Sequence, residues 1–181
     1  MNIKKLVFTS IFIALCYVAT SMIKIPISVG WGYVHLGDSV VMLAGMLLGP
    51  GLGAIAAGLG SALADVAGGY AHYAIPTLIV KASLAFFVGI AYKNFRGKVK
   101  ESGVIRYVYH MVAAIVIVTG GYFITDLILA NLLIVDAEGA SSIAYAAFGL
   151  PWNTLQAVFG TVVSVVLYIP LKKPFENLYN D

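Results

Sequence analysis

Between Asp38 and Asp65 the chain runs for twenty-six residues without a charge, broken only by Gly49-Pro50-Gly51. A proline flanked by glycines ends one helix and opens the next, so the stretch reads as two short apolar helices meeting at a turn. Neither helix has a polar face to turn towards water. Composition says what surrounds them: 10% of the 181 residues are charged, where soluble domains carry about a quarter, and mean hydropathy is +0.95. The chain is expected to lie in a lipid bilayer.

The other apolar segments complete an all-α bundle. Lys5 and Lys24 bracket eighteen uncharged residues, close to the ~20 needed to cross a bilayer. No small-x-small cleavage site follows, so this first segment is read as a retained helix rather than a signal peptide. Six transmembrane helices are expected, at about 3–23, 36–48, 51–68, 76–94, 107–135 and 150–172, forming a single domain. The prolines at 76 and 151 suit first turns. Segment 136–149 is read as a loop with a short helical turn, and Gly120-Gly121 as a weak point in the fifth helix. Cys16 is the sole cysteine, which excludes a disulfide framework and fits a packed thiol.

Lys4, Lys5, Lys93, Arg96, Lys98, Lys100, Arg106, Lys172 and Lys173 fall on one side of such a bundle, nine of the eleven basic residues. Basic loops stay cytoplasmic, so both termini are expected there. The clusters flank apolar segments, and the net charge of +3 is no nucleic-acid footprint.

With that orientation, counting along the helices brings scarce polar side chains to one depth near the outer surface. They are His35 and Asp38 at the start of the second helix, Asp65 at the end of the third and Lys81 in the fourth. Tyr122 and Asp126 in the fifth join them, as do Trp152, Asn153 and Gln156 in the sixth. Charged groups inside a membrane face a partner or a water-filled cavity. A structural ion pair of Lys81 with Asp65 or Asp126 is one reading. An outward pocket for a small polar ring compound is the other, with Lys81 and an acid fixing heteroatoms and aromatics stacking on the ring. The loop 24–35, with Pro26, Gly30 and Gly32, would then act as a lid carrying Trp31 and Tyr33. Anchoring at the membrane interface would explain Trp31 by itself as well, and the aromatics of the opposite outer loop favour a binding site. Tyr70, His72 and Tyr73 stand in the opposite outer loop; His72 is either a ligand contact or solvated.

The run Gly53 to Gly68 is almost wholly small. Ala56, Gly60, Ala64 and Gly68 form one ridge, and Gly53, Ala57 and Ser61 another, which lets helix backbones approach closely inside the molecule. A sparser ridge, Ser10, Ala14 and Val18, lies on the first helix. Several chemistries lack support. GLGAIA at 51–56 follows no strand of a βαβ unit, no GxxxxGK[ST] loop is present, and the three histidines have no metal-ligand spacing. No nucleophile–base pair is placed, so an enzyme is not expected, nor a metal or other cofactor.

The segments IKIPI at 23–27, GYVHLGDSVVMLAGMLLGP at 32–50 and GSALADVAGGYAHYAIPTLIVK at 60–81 resemble the substrate-binding S components of energy-coupling factor (ECF) vitamin transporters. The subgroup they resemble takes up hydroxymethylpyrimidine or pyridoxine. The resemblance implies a multi-pass protein of a prokaryotic plasma membrane that captures a vitamin or its precursor outside. It would then dock on a transmembrane T component with two ATPase subunits and reorient to release its cargo. The family's docking motif on the first helix would fall on Ser10, Ala14 and Val18. The competing reading is a stand-alone proton-coupled secondary transporter with Lys81, Asp65 and Asp126 as a relay; the absence of an evident inverted repeat weighs against it.

Overall fold

The computed structural model describes residues 3–22, 24–26, 33–94, 104–132 and 141–180. Six helices dominate: α1 Ile3–Met22, α2 Gly37–Leu48, α3 Pro50–Ala67, α4 Ala74–Asn94, α5 Val104–Asn131 and α6 Ser142–Asn180. Five are long and apolar enough to cross a membrane, and α2 is a shorter apolar helix. At 12 residues it extends only about 18 Å.

α2 is the centre of the bundle. Ten of its residues are buried, and α1, α3, α4 and α6 all pack on it. α5 closes the bundle between α4 and α6. The core gathers Val41, Met42 and Ala44 of α2 with Cys16, Ala56, Ala57, Leu84, Val88, Val118 and Ala157. Large apolar side chains such as Ile11, Leu59, Phe86, Val116 and Val162 are exposed on the outside. That arrangement suits lipid, which solvates them at no cost.

Gly49 makes the α2–α3 turn possible. Its φ of 81° lies where side-chain-bearing residues are strained, and Pro50 follows at the first position of α3. The small-residue run packs inside the molecule. Ala56, Ala57, Gly60, Ser61 and Ala64 are all buried, and α3 lies against α1, α2 and α4. At Gly60 a Cβ would stand 2.5 Å from the carbonyl oxygen of Ile13 and 2.6 Å from Cys16 Cβ. Only glycine lets α1 come that near. Gly68, by contrast, is exposed.

Two departures from the expected architecture matter for the site. Strands β1 (Lys24–Pro26) and β2 (Tyr33–His35) pair antiparallel, with Lys24 opposite His35 and Pro26 opposite Tyr33. The first loop therefore leaves and returns as a ribbon rooted at α2. Trp31 lies outside the described residues, as does the side chain of Tyr33.

The second departure is α6, which begins at Ser142 rather than near 150 and runs past Lys172-Lys173 to Asn180. Ser141 Oγ accepts the backbone N–H of Ala144 at 3.2 Å, a serine cap that sets the earlier start. Pro151, Pro170 and Pro174 are thus internal to the helix. A membrane bundle tolerates such prolines where neighbouring groups satisfy the backbone they free. α5 likewise starts at Val104 and ends at Asn131, passing through Gly120-Gly121 without a break; residues 133–140 lie outside the described set.

Candidate functional site

The cavity lies at the end of the bundle where α2 starts and α3 ends. Its lining is His35, Asp65, Tyr70, Tyr73, Thr77, Tyr122, Asp126, Gly149, Trp152, Asn153 and Gln156, around a volume of about 80 Å³. Each wall has a local cause. The α3 C-terminus delivers Asp65, whose carbonyl accepts the N–H of Tyr70 at 2.8 Å. A single 3-10 turn, Ala71–Tyr73, then turns Tyr73 back towards α5. Its hydroxyl donates to Asp126 Oδ1 at 2.8 Å. Thr77, one turn into α4, has its hydroxyl 3.2 Å from that of Tyr122 on α5. The early start of α6 puts Gly149 on the same helix as Trp152, Asn153 and Gln156, and all four line the cavity.

Beneath this lining lies an ion pair. Lys81 on α4 and Asp38 on α2 are both wholly shielded from solvent and bonded to each other through Nζ and Oδ1. Gln156 Nε2 donates to the other oxygen, Asp38 Oδ2, at 2.8 Å. Gln156 Oε1 accepts the backbone N–H of His35 at 3.0 Å. The Tyr122 ring lies over Lys81 Nζ, 4.9 Å from its centroid. The charge pair is therefore one side chain removed from the cavity, reaching it through Gln156 and Tyr122. Because the carboxylate only accepts and the backbone N–H only donates, the Gln156 amide has one possible orientation. His35 Nδ1 accepts the N–H of Gly37 at 3.0 Å, so a neutral His35 ring carries its proton on Nε2.

Nine of the residues singled out from sequence line this cavity: His35, Asp65, Tyr70, Tyr73, Tyr122, Asp126, Trp152, Asn153 and Gln156. Asp38 and Lys81 sit behind it, and the partner of Lys81 is Asp38 rather than Asp65 or Asp126. The pairing follows from the buried position of α2, which places its first turn against both α4 and α6. His72 is exposed, with its ring between those of Tyr70 and Tyr73, and does not line the cavity. Thr77 and Gly149 were not anticipated. Thr77 stands one helical turn from Lys81 and Gly149 one turn from Asn153, so helical spacing from the polar residues was the available signal.

Ser10, Ala14 and Val18 are exposed on α1. Ser10 and Ala14 line an open apolar groove with Ile13, Tyr17, Leu63, Val66 and Ala67, between α1 and α3. Among the described residues no cluster of three or more His, Cys, Asp or Glu could hold a metal ion.

Comparison with known proteins gives likenesses of three kinds, to a family, to solved structures and to a curated protein. Residues 1–173 match the family described as the S component of the ECF-type riboflavin transporter. Two solved structures share the fold. One is an S component for biotin from an ECF-type ABC transporter, with TM-score 0.63 and 20% identity, covering 92% of each chain. The other is the S component of a bacterial ECF transporter, with TM-score 0.66 and 21% identity, covering 93% of this chain and 95% of that one. A curated Pyrococcus woesei protein, described as "Uncharacterized protein in gap 3'region", is 44% identical over 72 residues, 40% of this chain. The match spans about half of that relative's length (48%).

Proposed function

The chain belongs to the family of ECF-type riboflavin transporter S components, and from that premise we propose that it captures hydroxymethylpyrimidine or pyridoxine outside the cell and hands it inward. The family is one of transporter subunits rather than enzymes, and the chain is a multi-pass membrane protein. With both termini cytoplasmic, the cavity opens outward.

The observation that carries the substrate reading is the cavity itself. At about 80 Å³ it is smaller than the ~300–1,000 Å³ typical of drug-sized ligands. One pyrimidine or pyridine ring is of that scale. Trp152 and Tyr70 offer aromatic faces to such a ring, while Asp65, Asp126, Asn153 and Gln156 offer hydrogen bonds to its heteroatoms and hydroxymethyl groups. The Lys81–Asp38 pair would act by holding Gln156 rather than by touching the ligand. Riboflavin is the second reading, favoured by the family match.

Release inward would need partners. The groove beside Ser10 and Ala14 supports docking on a transmembrane T component, with two ATPase subunits supplying the energy. Val18 continues the same exposed face of α1.

Titrating the purified protein with hydroxymethylpyrimidine, pyridoxine and riboflavin separates the readings. The chain contains two tryptophans, so a Trp31→Phe variant leaves Trp152 as the sole indole reporter. Saturable quenching by either single-ring compound is expected. Tight binding of riboflavin alone would overturn the single-ring reading in favour of the flavin.

A further inference from the structure

The cavity wall formed by α6 contains a gap that the side chains leave open. Gly149 lines the cavity one turn before Asn153. A Cβ built on it would stand 3.2 Å from Asp126 Oδ2 and 3.3 Å from Asn153 Nδ2. The carboxylate oxygen and the amide nitrogen therefore flank the same small space beside the glycine backbone. They come from different helices, α5 and α6, and do not hydrogen-bond each other.

Among the described residues, the hydrogen-bonding capacity of these two atoms is unspent. The Tyr73 hydroxyl holds Asp126 through Oδ1, which leaves Oδ2 as an acceptor turned towards Gly149. Among the described residues, neither Oδ2 nor the Asn153 amide has another protein partner. A carboxylate oxygen can only accept, whereas the amide NH₂ can only donate. One ligand atom satisfies both when it donates and accepts together, and a hydroxyl oxygen does so at ordinary distances of about 2.7 Å to the carboxylate and 2.9 Å to the amide. Its approach requires that residue 149 have no side chain.

We infer that Gly149 is a specificity-determining residue, and that the space beside it receives a hydroxyl of the ligand bridging Asp126 Oδ2 and the Asn153 amide. The inference rests on the cavity being the ligand site and goes beyond it by naming the group read there. Methyl or hydrogen in place of that hydroxyl would lose the bonds to both groups. A hydrogen bond to a charged group is worth roughly a 10- to 100-fold change in affinity, so the discrimination should be of that order.

Matched ligands test this on the full-length protein in detergent. Affinities are measured for pyridoxine and its analogue with methyl in place of a hydroxymethyl group, and for hydroxymethylpyrimidine and the corresponding methyl compound. The wild type should prefer a hydroxylated member by about 10-fold or more. Gly149→Ala should erase most of that preference. Alanine is favoured over glycine within a helix, so the variant should fold, and an unchanged or raised unfolding temperature will show that it does. Equal affinities for both members of each pair would overturn the inference while leaving the site in place. So would a preference that survives Gly149→Ala. Failure of all four compounds to bind would instead remove the single-ring reading, and this inference with it.

Discussion

Lys81 and Asp38 illustrate how one charge fixes several neutral groups around it. Each is fully buried, and their pair orients Gln156, which in turn holds the base of the β1–β2 ribbon through His35 N–H. Removing one member of a buried pair strands the other, at a cost of about 3–5 kcal/mol. Lys81→Met is therefore expected to lower the thermal unfolding temperature sharply, and Lys81→Met combined with Asp38→Leu to recover much of the loss. Equal destabilisation by the single and double variants would show that the pair is not a unit. Gln156→Leu should weaken ligand binding and, by removing the Gln156 partner of Asp38 Oδ2 and of the His35 N–H, also lower stability by about 1–3 kcal/mol per group left unsatisfied, measured by titration and unfolding on the same preparation. A variant that binds as the wild type would remove Gln156 from recognition. The polar positions of the cavity were legible in sequence because hydrophilic groups are rare in apolar segments and need a reason to be there. The partner of Lys81 was not. Pairing depends on how far each helix is rotated about its axis, and Asp38, Asp65 and Asp126 all stand near the same depth.

Helix boundaries and helix contacts obey different rules of legibility. The small-residue ridge of α3 was readable because close approach requires the absence of side chains, and Gly60 is where α1 uses it. Gly60→Val should push α1 away from α3 and cost about 1–3 kcal/mol as an overpacked contact. Gly51→Ala is the control, since its Cβ would meet nothing within 4 Å. A thermal shift no larger for Gly60→Val than for Gly51→Ala would refute the close packing of α1 on α3. The start of α6 was harder to read. Pro151 looks like a first-turn residue, yet the cap is Ser141, ten residues earlier, and the intervening SIAYAAFGL is helical. A proline signal prevails in water, where an internal proline costs about 3 kcal/mol; in a membrane bundle its neighbours reduce that cost. The β1–β2 ribbon escaped notice because three-residue strands leave too few positions for an alternating pattern. That early α6 start brings Gly149 into the cavity wall.

At the scale of the whole molecule, the cavity and the α1–α3 groove are different surfaces, to which the proposed function gives different tasks. Ala14 lines the groove and not the cavity, so the two tasks should separate by mutation. Ala14→Trp would fill the groove with an indole while leaving every cavity residue in place. In vesicles holding the chain with its T component and ATPases, this variant should bind the vitamin with wild-type affinity and fail to accumulate it. Loss of binding would mean that the groove and the cavity are coupled, and unimpaired uptake would remove the docking role. The same vesicles address where the energy comes from. A capture subunit without a motor accumulates nothing by itself, whatever the proton gradient, and gains uptake only when the ATP-hydrolysing partners are supplied. A self-contained carrier behaves in the opposite way: uptake by this chain alone, collapsing when the gradient is dissipated. The buried charges weigh against the second behaviour. A proton relay needs acids that exchange protons with water on both sides, whereas Asp38 is shielded and held by Lys81 and Gln156, and Asp65 and Asp126 both line the one cavity. Uptake that requires ATP and partners, persists with the gradient dissipated and disappears in Ala14→Trp is therefore the expected pattern.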